Sequence, residues 1–72
     1  MKDNVTYRVI REFIDKDGNI DDFFFISASF SDYTFALVEA NKAEVWKGNQ
    51  ISIWELLDGD LLNSWLIKEF PE

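Results

Sequence analysis

Histidine and cysteine are both absent from this 72-residue chain. The first absence removes the side chain whose ordinary pKa suits proton shuttling near neutral pH. The second removes thiol nucleophiles, disulfides and the usual zinc ligands. Catalysis is therefore not expected, and neither is a cofactor or a bound metal. Proline is confined to Pro71, so nothing breaks the apolar patterns that precede it. No apolar run approaches the ~20 residues of a membrane span. The opening MKDNVTYRV has one lysine and no apolar segment behind it, unlike a secretory signal. The expectation is a cytoplasmic protein without a membrane partner, folded as one small domain over residues 1–72.

Cations are scarce as well: 7 Lys+Arg stand against 14 Asp+Glu, for a net charge of −7. Nucleic acid and anionic membrane carry the same sign and repel such a chain at long range. Direct nucleic-acid binding is excluded on this ground, and a charged partner should be basic. What the chain has instead is apolar density, 47% hydrophobic and 17% aromatic, which separates it from chains that stay disordered. A chain this short buries only about 60% of its unfolded surface, which leaves it marginal unless a partner helps.

Residues 5–14 alternate Val5, Tyr7, Val9 and Phe13 with Thr6, Arg8, Ile10 and Glu12, the period of a strand. Residues 15–20 supply Asp-Gly turn chemistry, and a second strand is expected over about 22–30. Ser31 and Asp32 are capping types, and Tyr33, Ala36, Leu37 and Ala40 make one helical stripe, predicting a helix over 32–41. Residues 43–47 and 50–57 bracket Gly48-Asn49, which reads as a two-residue hairpin loop. Asp58-Gly59-Asp60 is the next turn, before a last strand over 61–70. The expected fold class is α+β, with a curved antiparallel or mixed sheet of about five strands and one short helix in the order β-β-α-β-β-β. The alternative makes 32–41 a strand and gives an all-β six-stranded meander or small barrel.

DKDGNID resembles the middle of a calcium-binding EF-hand loop, but that alignment places Phe13 and Phe24 at the first and last ligand positions, where calcium needs an Asp and a bidentate Glu. An acidic hairpin turn is the better reading. The serines have no histidine to activate them, and the single-glycine turns match no phosphate loop.

Tracing five strands and a helix brings Asp58 and Asp60 to the same end of the sheet as Asp15, Asp17, Asp21 and Asp22. Such an acidic pole would steer a basic partner. Area gives a second expectation. Five strands at ~4.8 Å make a sheet about 20 Å wide, whereas a helix is ~10 Å across. One helix leaves apolar sheet uncovered, and Trp46, Trp54, Phe23, Phe25, Leu62 and Leu66 are the side chains expected on the exposed face. Trp46 and Trp54, flanking the Gly48-Asn49 loop, are the expected anchors. Function is therefore expected to be non-catalytic. The first expectation is an acidic protein-binding module, in its most specific form a small inhibitor that occupies a basic, nucleic-acid-binding surface, as acidic proteins of viruses and mobile elements do. The alternative is a structural or assembly subunit of an oligomer, most simply a homodimer.

Overall fold

A computed structural model of the chain describes residues 4–70. Four strands and one helix follow in the order β1 (Val5–Ile14), β2 (Ile20–Phe25), α1 (Tyr33–Lys42), β3 (Asn49–Leu57) and β4 (Asp60–Glu69). The strands form one antiparallel sheet ordered β2-β1-β3-β4, so the two long neighbours β1 and β3 lie at the centre. This is an α+β domain whose open sheet has four strands rather than about five.

The hairpins follow from local chemistry. Asp15 Oδ1 accepts the backbone N–H groups of Asp17 and Asn19, each at 2.9 Å, closing the β1–β2 turn on its own first residue. Between β3 and β4, Asp58 and Gly59 both have positive φ, 51° and 90°. That is the pairing a two-residue type I′ hairpin requires, and Asp-Gly tolerates it.

β2 stops at Phe25 instead of reaching Phe30. The reason is Ser27, whose Oγ accepts the Val9 backbone N–H at 2.9 Å and so takes the place of a ladder carbonyl. Ile26 N–H still donates to the Val9 carbonyl at 2.9 Å, and beyond Ser27 a single bridge joins Tyr7 and Phe30.

The helix forms as expected from its cap and stripe. Asp32 accepts the Thr34 N–H at 2.9 Å, and Lys42 lies in the last turn, where its charge suits the helix dipole. Ala36 and Ala40 face the sheet and are fully buried against Val9, Ile51 and Ile53. Tyr33, Leu37, Phe30, Val45 and Ile67 close the margin of this core.

The expected strand over 43–47 is absent. The helix ends beside the β1–β2 hairpin, and β3 starts at that same end, since Asn49 pairs with Phe13. A short link suffices. Residues 46–49 form a turn in which Asn49 N–H donates to the Trp46 carbonyl at 3.0 Å and Gly48 takes φ 92°. Gly48-Asn49 is therefore the entry to β3 and not a hairpin loop.

Sheet plus helix gives two layers, with extents of 44 × 23 × 15 Å. The radius of gyration, 12.4 Å, exceeds the roughly 11 Å of a compact domain this long. The molecule is a slab. Among the described residues no helix is long and apolar enough to cross a membrane.

Candidate functional site

The helix covers one face of the sheet, and no element of the described chain covers the other. The strand register decides which side chains this second face carries. Ile10 opposes Phe25 and Ser52, Glu12 opposes Phe23 and Gln50, and Arg8 opposes Trp54. On β4, Leu66 opposes Ser52 and Leu61 opposes Leu56.

Two rings from β2 and one from β3 make the centre of this face. Phe23 and Trp54 lie 4.7 Å apart between ring centroids, Phe25 and Trp54 6.0 Å, and Phe23 and Phe25 5.8 Å. Arg8 caps the group, its guanidinium 4.0 Å from the Phe25 centroid and hydrogen-bonded to the Ser27 carbonyl. Phe23, Phe25, Leu61 and Leu66 stay between 42% and 53% exposed.

Beneath the rings is a side chain that the sequence did not single out. Glu12 is only 2% exposed. Its Oε1 accepts from Ser52 Oγ at 2.6 Å and from Gln50 Nε2 at 2.9 Å, and its Oε2 accepts from Trp54 Nε1 at 2.9 Å. A buried carboxyl survives only with such partners. The network also orients the Trp54 indole, against which the Phe23 and Phe25 rings pack. Nothing in the alternation of β1 distinguishes Glu12 from a solvent-facing residue. Only the register with β3 brings its donors together.

Several expected site residues separate. Trp46 and Trp54 lie on opposite faces. Trp46 is on the helix side, its ring 3.9 Å from the Arg11 guanidinium. Alternation failed for Trp46 because residues 43–47 are not a strand. Arg11 is almost buried and donates to Asn49 Oδ1 at 2.8 Å, the same oxygen that accepts the Trp46 backbone N–H at 3.1 Å. Leu62 falls in the β4 bulge, between Leu61 and Asn63, which carry the pairing with Leu56 and Glu55.

The acidic pole also divides. Asp15, Asp17, Asp21 and Asp22 are at the β1–β2 hairpin, while Asp58 N–H donates to the Asn4 carbonyl at 3.1 Å and so lies, with Asp60, at the opposite end. Losing one strand changes the number of sheet crossings from odd to even, and this carries the second turn to the other pole. Both ends of the uncovered face are consequently acidic.

On the helix side, the end bearing Asp58 holds a separate group. Tyr7 OH donates to Glu55 Oε2 at 2.8 Å, and Asn63 Nδ2 donates to Glu55 Oε1 at 2.6 Å. These bonds from Asn63 and Tyr7 hold the Glu55 carboxyl below its ordinary value. The Tyr7 phenol is pushed up by the same hydrogen bond, by burial and by the charges of Glu55 and Asp32.

At the hairpin end a cleft of about 660 Å³ is lined by Ile14, Asp15, Lys47, Gly48, Asn49, Gln50, Glu69 and Phe70. Among the described residues no group of three or more carboxylates converges as metal ligands. Compared with known proteins, the chain matches no family model, no curated protein and no solved structure.

Proposed function

We propose that the chain is a non-catalytic protein-binding module that docks a basic partner on the uncovered face of its sheet. The observation that carries this reading is the aromatic group of Phe23, Phe25 and Trp54, its indole anchored on Glu12 and its two phenyl rings left open to water. Aromatic side chains that are fixed before binding lose little freedom on binding and anchor interfaces efficiently. The four strands hold 35 residues, and at about 4.8 Å by 3.4 Å each these give a footprint of roughly 570 Å², of the order of the ≈ 800 Å² of accessible surface each partner contributes to a standard interface.

Charge selects the partner. The apolar strip is flanked at one end by Asp15, Asp17, Asp21 and Asp22 and at the other by Asp58 and Asp60, within a chain of net charge −7. A complementary surface is apolar in the middle and cationic at its margins. The most specific form of the proposal is an inhibitor that occupies a basic surface otherwise used for nucleic acid.

Self-assembly is the second reading, and one observation favours it. The outer edge of β4 is ten residues long and, among the described residues, has no strand beside it, with Leu61, Leu62, Trp65 and Leu66 exposed along it, and such an edge templates pairing with another chain.

A benzophenone side chain placed at Phe25, and in a separate variant at Phe35 on the outer side of the helix, tests the proposal in producing cells. The proposal predicts a discrete adduct from Phe25 alone, with a basic protein whose yield falls as salt rises. An adduct of twice the chain mass supports self-assembly. Equal labelling from both positions contradicts docking on this face.

A further inference from the structure

We infer that the cleft between Tyr7, Tyr33, Trp65 and Glu55, on the helix-covered side of the sheet, binds an alkylammonium cation. This site is separate from the docking face and does not rest on it. The cleft measures about 390 Å³ and, among the described residues, is lined by those four.

Three aromatic rings form its walls. Tyr33 and Trp65 lie 5.1 Å apart between centroids at an interplanar angle of 73°, Tyr7 and Tyr33 5.9 Å apart at 83°, and Tyr7 and Trp65 6.5 Å apart at 35°. Tyr33 stands edge-to-face with both Tyr7 and Trp65, whose own planes lie 35° apart, so the cleft offers ring surface from two directions, which suits a rounded ammonium group better than a flat guanidinium. Sequence local to each ring explains the meeting. Tyr33 opens α1, Tyr7 lies on β1, and Trp65 on β4 opposes Ile53, one strand further along.

Glu55 supplies the charge. Each of its oxygens already accepts one hydrogen bond, from Tyr7 and from Asn63, and a carboxylate has about four acceptor positions in all. Capacity for an N–H donor remains. Among the described residues Glu55 has no ion-pair partner, and the ion pair that does form joins Lys42 to Glu39 on the helix at 3.6 Å. Arg8, on the strand that carries Tyr7, projects to the other face and stacks on Phe25. Asp32 adds a second negative charge close enough to act on Tyr7. An anion is repelled here and a neutral guest leaves the carboxylate uncompensated, whereas a cation satisfies rings and carboxylate together.

The ammonium group has two sources, a lysine side chain of a protein or a free methylated amine. The test titrates the whole chain at constant ionic strength with choline, with its uncharged counterpart 3,3-dimethylbutanol and with N-acetyl-lysine methylamide, following the Trp65 indole N–H and the ring protons of Tyr7 and Tyr33 by NMR. Choline is expected to give saturable shifts, with the alcohol at least about tenfold weaker. N-acetyl-lysine methylamide binding as well as choline identifies a protein side chain as the source, and choline binding alone identifies a free methylated amine.

Glu55→Gln should weaken choline by about fivefold or more while leaving the amide spectrum folded, and Trp65→Leu provides a second variant that leaves the Tyr7–Glu55 pair in place. Equal binding of choline and the alcohol, or choline shifts that never saturate, overturns the inference. Neither result bears on the crosslink expected at Phe25.

Discussion

Trp54 donates its indole N–H to Glu12 across 2.9 Å, from β3 to β1, on the face that the helix leaves open. Ser52 and Gln50 complete the acceptor shell of the same carboxyl. Replacing Glu12 by Ala strands a nearly buried serine hydroxyl and unties the indole. The expected loss is about 2–3 kcal/mol of stability in urea unfolding, against about 1 kcal/mol for Glu12→Gln, which keeps one acceptor oxygen. Equal and negligible losses would show that the network does not hold this face.

Phe23→Ser with Phe25→Ser removes two of the three rings without opening the helix-side core, since both are more than two-fifths exposed. Association with the partner should weaken by about 2 kcal/mol or more, roughly thirtyfold. The unfolding midpoint should shift far less than it does for Ile53→Ala, which cuts a fully buried side chain. Replacing Asp15, Asp17, Asp21 and Asp22 by Asn should instead slow association at low salt and leave dissociation nearly unchanged. The same holds separately for Asp58 and Asp60 at the other end.

The Tyr7–Glu55 pair predicts a dependence on pH with a definite sign at each end. Glu55 is held below its ordinary 4.5 by hydrogen bonds from Asn63 and Tyr7. Below pH 4.5 the unfolded chain therefore takes up a proton before the folded one does, and stability falls as pH drops toward the folded value. Tyr7 is held above its ordinary 10.0. Above pH 10 the unfolded chain loses its proton first, and stability falls as pH rises toward the folded value. Thermal midpoints of the wild type and Tyr7→Phe across both ranges check this. The alkaline component should disappear in the variant, and the acid component should shrink.

Asn49 joins Arg11 to the turn that enters β3, with one oxygen serving both the guanidinium and the Trp46 N–H. Asn49→Ala should cost about 1–3 kcal/mol, because Arg11 is left almost buried without that acceptor. Increased solvent access of the Trp46 indole, read by acrylamide quenching in a chain whose other two tryptophans are Phe, should accompany the loss.

The fold was legible where local rules act alone. Alternation in β1 put Val9 on the face that meets Ile51 and Ile53, and the Tyr33, Ala36, Leu37 and Ala40 stripe is the side of α1 that packs. Asp-Gly at positions 58–59 and the aspartate that opens the first turn both act as their chemistry dictates. Residues 43–47 misled because Gly48-Asn49 reads as a hairpin loop and so implies a strand before it, whereas the chain leaving the helix already stands at the start of β3. That single excess strand moved Trp46 to the wrong face and Asp58 and Asp60 to the wrong end. The Glu12 network and the ring group of Tyr7, Tyr33 and Trp65 were not legible, because the first depends on the register of β1 with β3 and the second on how α1 lies over β1 and β4.

Among the described residues, nothing covers the sheet face that carries Phe23, Phe25 and Trp54. The most direct measurement is fluorescence of the uncharged dye Nile red with protein diluted until sedimentation gives a single chain. Strong emission from the wild type that collapses in the Phe23→Ser, Phe25→Ser variant and persists in Phe35→Ser, Val38→Ser is the predicted result. Emission absent from the wild type, or abolished only by the helix substitutions, would contradict it.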